Sequence, residues 1–146
     1  MNALGTHLLL ELKDCGASEL LNNARDIEKV MVDAAKYANA TVLGSNFHTF
    51  NPYGVSGVVI IAESHLTIHT WPEYNYAAVD IFTCGEIIEP KVAAEFLIEK
   101  FESSNPSFNE MKRGVLTKYW KDAPPYKPVE KGNEANDGAE KTQLVF

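Results

Sequence analysis

Cysteine is scarce in this 146-residue chain: Cys15 and Cys84 stand far apart with no Cys-x-x-Cys pair. That argues against a disulfide framework and a cysteine-held zinc, and a reducing cytoplasmic setting is expected. Long apolar runs are missing, so no stretch approaches membrane-spanning length. Met1 to Leu12 lacks the basic segment, apolar core and small-residue site of a secretory signal. Positive charge is in deficit: 13 Lys and Arg against 20 Asp and Glu leave a net charge of −7. This disfavours nucleic acid or an anionic membrane as partner and mildly favours small cationic ligands. What is present, 45% hydrophobic and 10% aromatic residues, is the composition of a chain that folds, in one domain with a modest core.

Gly5 to Lys13 alternates apolar and polar positions, which predicts a strand ended by the turn Asp14-Cys15-Gly16. Ser18 is the expected N-cap of a helix carrying Leu20, Ala24, Ile27, Met31, Ala34 and Ala38 on one face, to about Tyr37 with an Asn39 stop. Four β-rich runs follow at Ala40–Ser45, Gly57–Ala62, His65–Thr70 and Tyr76–Thr83, divided by Gly, Pro, Asn and a Glu-Ser junction. Pro90 is a favoured first-turn residue for a second helix through Phe96 and Leu97 to about Ser103. Met111 to Tyr119 is the expected last strand, and residues 121–146, with their prolines and charged run, read as a loosely ordered tail after a domain at 1–120. Val58 to Ile61 is apolar on both faces of its strand. Two helices can cover only one face of such a sheet, so a second copy stacked sheet on sheet is the economical cover for the other.

The apolar run Gly57 to Ala62 ends abruptly at Glu63-Ser64. A serine at the end of a rigid strand, with His65 and His69 near in sequence and Cys84 beyond, has the parts for nucleophilic chemistry. His65 and His69 have metal-pair spacing only on a helix; on a strand four residues separate the rings by roughly 13 Å, and no metal is expected. Taken singly, Ser64 is a common turn residue, Cys84 a small hydrophobe before Gly85, Trp71 and Phe50 ordinary aromatics and Glu73 an exposed carboxylate.

Together they say more. Phe47-His-Thr-Phe-Asn-Pro-Tyr-Gly-Val-Ser-Gly57, Ala62-Glu-Ser-His-Leu-Thr-Ile-His-Thr-Trp-Pro-Glu73 and Tyr76-Ala-Ala-Val-Asp-Ile-Phe-Thr-Cys-Gly85 resemble the prokaryotic S-adenosylmethionine decarboxylases. The resemblance runs in order from Gly5 to about Phe101. It implies an α+β two-layer fold, a mainly antiparallel sheet with helices on one face, and sheets stacking across a homodimer. It implies a proenzyme that cuts itself at Glu63-Ser64 into a β chain (1–63) and an α chain (64–146), with Ser64 becoming a covalent pyruvoyl group that forms a Schiff base with the substrate. By the same resemblance Ser56 assists cleavage, His69 takes the α-proton during elimination, and Cys84 is the proton donor in decarboxylation. Phe50, Trp71 and Glu73 match the needs of adenine, a sulfonium cation and ribose hydroxyls.

Two rivals remain at this point. A pyruvoyl enzyme could decarboxylate ornithine or arginine instead, although a short diamine precursor has no use for the residues at 50, 71 and 73. An unprocessed, non-catalytic regulatory homologue would have had no need to keep Ser64, His69 and Cys84 together.

Overall fold

The computed structural model describes residues 3–115. Among these, six strands, β1 (Ala3–Leu12), β2 (Val42–Thr49), β3 (Val55–Ile61), β4 (Ser64–Trp71), β5 (Tyr76–Cys84) and β6 (Ser107–Val115), form one sheet in the order β2-β3-β4-β5-β1-β6. Every pairing is antiparallel. Helices α1 (Ala24–Tyr37) and α2 (Pro90–Lys100) lie side by side on one face, α1 over β2 and β3, α2 over β1 and β5. This is the expected α+β layering, and no helix among the described residues is long and apolar enough to cross a membrane.

Alternation decides what each face carries. Leu8, Leu10 and Leu12 of β1, Val55, Val59 and Ile61 of β3, Leu66 and Ile68 of β4, and Ala77, Val79 and Ile81 of β5 are all buried under the helices. Ile27, Met31, Ala34 and Ala35 of α1 and Ala93, Ala94 and Leu97 of α2 meet them. The intervening residues face the other way, onto a layer that no element among the described residues covers. Leu9, Ile60, Trp71 and Met111 are exposed there, and all four histidines, His7, His48, His65 and His69, belong to that face by register.

Three expectations shift. Ser18 does not cap α1: a short 3-10 turn at Leu20–Asn22 intervenes and Asn23 is the N-cap, its side chain accepting the Asp26 N–H at 3.1 Å and donating to the Asp26 carboxylate at 2.7 Å. That reciprocal pair satisfies one orphan donor of the first turn, which Ser18, too far upstream, could not reach. The expected stop at Asn39 holds, with φ 66° just past the last turn. Strand β2 starts two residues late and runs on to Thr49, and β6 starts four residues before the expected Met111. Both are sheet edges, and every residue of β6 is exposed, so neither needs the apolar alternation that reveals a half-buried strand. Residues 116–146, including the end of the expected last strand and all of the expected tail, lie outside the described residues.

Thr70 of β4 ties the layers together. Its buried hydroxyl donates to the Leu21 carbonyl at 2.7 Å and accepts the Val55 N–H at 2.8 Å. Valine has the same shape and neither capacity, so Thr70→Val strands two buried backbone groups and should lower stability by about 1–3 kcal/mol, read as a lower urea midpoint. Thr70→Ser should stay near the parent; equal midpoints for the valine variant and the parent would remove the hydroxyl from this role.

Candidate active site

The β3–β4 hairpin closes through only Ala62 and Glu63, with Ile61 opposite Ser64. Two-residue loops that match strand twist use positive φ within the loop. Here neither loop residue has it, and the demand passes to Ser64, whose φ is 145°. A non-glycine residue there costs on the order of 1–3 kcal/mol. The consequence is positional. Alternation with Leu66, Ile68 and Thr70 would turn the Ser64 side chain under the helices, yet its Oγ lies 3.3 Å from the Sγ of Cys84. Cys84 alternates with buried Thr83 and Ile81, and so stands on the open face.

The same junction holds the Glu63 carbonyl. The Cys84 N–H donates to its oxygen at 2.8 Å, and the Glu63 carboxylate accepts the Thr41 N–H at 3.2 Å. A backbone donor aimed at an amide oxygen can polarise that carbonyl and receive charge developing on it. Ser64, Cys84 and the Glu63 carbonyl thus form one cluster at the turn end of β4, half-buried, with a hydroxyl nucleophile beside the amide that precedes it.

A second cluster sits at the other end of β3 and β4. Ser56 and His69 are register partners, and Ser56 Oγ lies 2.6 Å from His69 Nδ1. They line an open groove of about 320 Å³ with Phe50, Tyr53, Gly54, Thr70, Trp71 and Glu73. The turn Pro72–Tyr74 after β4 presents Glu73 at its rim. The opposite wall is the loop between β2 and β3, closed by the Phe50 N–H on the Gly54 carbonyl at 2.8 Å and pinned to the helical layer by the Gly54 N–H on the Asn22 side chain at 2.9 Å. Gly54 has φ 104°, which leaves little choice but glycine at that bend. Aromatic walls with one carboxylate at the rim suit a flat, partly cationic ligand bearing hydroxyls.

All eight residues expected from sequence are therefore near one of two clusters, but one chain does not unite them. Ser64 and His69 are five residues apart along β4, roughly 17 Å at the rise of a strand. His69 cannot reach Ser64 within its own chain. Tyr53, Gly54 and Thr70 line the groove without being candidates from sequence, although all three lie inside the quoted Phe47–Gly57 and Ala62–Glu73 stretches. His65 belongs to neither cluster: it packs against His7 and Phe82, and burial, reinforced by His7 and Arg113 against the opposing pull of Asp80, holds it below the usual imidazole range. Among the described residues no three His, Cys, Asp or Glu side chains converge as a metal site would require.

Comparison with known proteins bears on the same residues. A family model described as S-adenosylmethionine decarboxylase matches residues 6–114. The S-adenosylmethionine decarboxylase proenzyme of Thermodesulfovibrio yellowstonii is 62% identical over 117 residues, spanning 80% of this chain and 86% of that one. The proenzyme of the same name from Clostridium kluyveri is 56% identical over 116 residues, spanning 80% of this chain and 91% of that one. Among solved structures, the adenosylmethionine decarboxylase of Aquifex aeolicus superposes with a TM-score of 0.74 at 33% identity, covering 81% of this chain and 97% of that one.

The two thiols differ in setting. Cys15 is buried, and burial, with the Asp14 carboxylate adding to it, pushes its thiol up to about 11. Cys84 is only half-buried beside Ser64. Iodoacetamide at pH 8 on the folded protein should label Cys84 and spare Cys15, as read by peptide mass spectrometry; preferential labelling of Cys15 would contradict the placement of both.

Proposed function

The chain belongs to the S-adenosylmethionine decarboxylase family, and from that premise we propose that it is a self-processing, pyruvoyl-dependent enzyme that decarboxylates S-adenosylmethionine and so supplies aminopropyl groups for spermidine synthesis. The observation that carries the processing step is the positive-φ serine beside a polarised carbonyl: Ser64 Oγ on the open face, and the Glu63 oxygen on the Cys84 N–H at 2.8 Å.

The steps follow from these placements. Ser64 Oγ adds to the Glu63 carbonyl carbon, and the Cys84 N–H holds the oxygen as it gains charge. Collapse breaks the C–N bond and leaves an ester with a free Ser64 amine. His69 removes the Ser64 α-proton, the Glu63 carboxylate departs with the former Oγ, and water replaces the nitrogen as ammonia is lost, leaving a ketone at the new N-terminus. Ser56, hydrogen-bonded to His69, sets the orientation of that ring. The pyruvoyl group formed in this way supplies an electron-accepting carbonyl for the amino group of the substrate as carbon dioxide leaves. The Cys84 thiol, which stands beside position 64, returns a proton to the carbon that lost the carboxylate. A thiol gives and regains a proton near neutrality more readily than a hydroxyl. Phe50 and Trp71 stack on the adenine and face the sulfonium, and Glu73 accepts from the ribose hydroxyls. Ornithine or arginine would leave this groove wall without a partner.

The separation of the clusters supports a homodimer in which each site is shared. A two-fold axis between stacked sheets, lying across the strands, keeps position across the sheet and reverses position along each strand. Both clusters centre on β4, one at each end. Such an axis lays the Ser64–Cys84 end of one copy over the Ser56–His69 end of its partner, so that His69 acts on the serine of the other chain and the substrate sits between copies. The same stacking covers Leu9, Ile60 and Met111. We place the protein in the cytoplasm, with the decarboxylase domain at 1–120.

Intact mass spectrometry of purified protein should show two chains cut between Glu63 and Ser64, the second shortened by the mass of ammonia and blocked by a ketone, and Ser64→Ala should stay whole. A parent protein that stays uncut would end the proposal. Sharing is tested separately by coexpression. Ser64→Ala and His69→Ala chains should each fail to process alone, whereas in mixed dimers the His69→Ala chain should be cut by the histidine of its Ser64→Ala partner. No rescue in verified mixed dimers would remove the partner's His69 from the processing of Ser64 and end the shared-site proposal.

A further inference from the structure

Trp71 has a support that the groove itself does not include. Trp71 and Tyr76 face each other as the last register pair of β4 and β5. Their rings are stacked, with centroids 5.3 Å apart and planes 25° from parallel. Tyr76 donates its hydroxyl to the Glu11 carboxylate of β1 at 2.5 Å, which ties the stack to the adjacent strand. Burial first, then the Glu11 hydrogen bond and charge, push the phenol up to about 12, so it remains a donor across the pH range in which the protein is used. The His69 ring lies 6.3 Å from Trp71, its plane inclined by 52°. An indole at a hairpin end, 38% exposed, has rotational freedom unless something fixes its plane, and an aromatic neighbour in near-parallel contact is such a restraint.

We infer that Tyr76, tethered by Glu11, is a positioning residue that holds the Trp71 indole in the plane the adenosyl sulfonium substrate requires. Neither Tyr76 nor Glu11 lines the groove; they act through Trp71. This rests on the assignment of the groove to S-adenosylmethionine. A platform already fixed in orientation spares the ligand the cost of ordering it, so the effect falls on substrate binding and leaves the Ser64 junction at the other end of β4 alone.

The test compares Tyr76→Leu, Tyr76→Phe, Glu11→Gln, Trp71→Leu and the Tyr76→Leu/Trp71→Leu double variant, measuring self-cleavage rate, KM and kcat for S-adenosylmethionine. Tyr76→Leu should raise KM by about three- to tenfold, the range of an aromatic pair, with kcat within about twofold and self-cleavage at the parent rate. Tyr76→Phe keeps the ring and should lose about two- to threefold, as should Glu11→Gln; these two carry the test if the leucine variant does not fold. The double variant should match Trp71→Leu alone, because the coupling passes through the indole. Unchanged KM in Tyr76→Leu and Glu11→Gln while Trp71→Leu raises it, or additive losses in the double variant, overturns the inference and leaves the groove assignment standing. Unchanged KM in Trp71→Leu overturns the groove assignment, and the inference with it.

Discussion

The constraint on which the site depends is the inversion of side-chain direction at Ser64. Strand alternation is a strict rule with period two, and β4 obeys it from His65 to Trp71. If Ser64 obeyed it as well, the hydroxyl would lie under the helices. A positive φ at the first residue after a two-residue turn sends it to the open face and beside the Cys84 thiol. The backbone distortion and the placement of the proposed nucleophile are one event. A relaxed turn with positive φ at Ala62 or Glu63 would satisfy the twist of the hairpin and lose the chemistry.

From that inversion follows the organisation of the open face. Two groups of reactive side chains project from it, one at each end of β4, separated by a length no side chain spans. In the proposed homodimer, each copy contributes one of these groups to each of two sites. The layer between them is neither polar enough for water on all sides nor continuous enough for a core: Leu9, Ile60 and Met111 alternate with His65, Asp80 and His7. The homodimer proposed above would set this face against the same mixture in reverse, as a two-fold contact requires.

Much of this was legible in the sequence, and unevenly. Strands β1, β3, β4 and β5 carry apolar alternation because one face of each packs on helices, and they were placed to within two residues. Strands β2 and β6 are edges whose residues are largely exposed, so their sequences carry no such period, and the Ser-Phe-Asn-Glu start of β6 reads as loop. The start of α1 was missed because Leu20 and Leu21 continue the helical spacing into a 3-10 turn, while the capping Asn23 looks like any other polar residue inside the pattern. The candidate site residues are proposed from their order along the chain, and that order hides their division into two clusters. The offset between Ser64 and His69 is odd and long on a strand, which already forbids contact within one chain; the positive φ at Ser64, by contrast, is a property of the closed turn and leaves no trace in the residue types.

The remaining question is what keeps the open face clear enough for Cys84 to stand beside Ser64. Gly5 of β1 is opposite Cys84 in register. A Cβ at Gly5 would come within 2.7 Å of the Thr83 carbonyl, 2.8 Å of the Phe82 ring and 3.1 Å of the Cys84 sulfur. The first of these contacts is with backbone and cannot yield, so any larger residue must displace β5 or turn the thiol away. The proposed substrate groove is secured differently, through Thr70, Leu21 and Asn22, which hang its loop from the helical layer. Nucleophile and groove thus rely on separate supports at opposite ends of one strand. A change at the Gly5 end need not disturb the groove, whereas one that loosens the groove also moves Ser56 and His69, which line it.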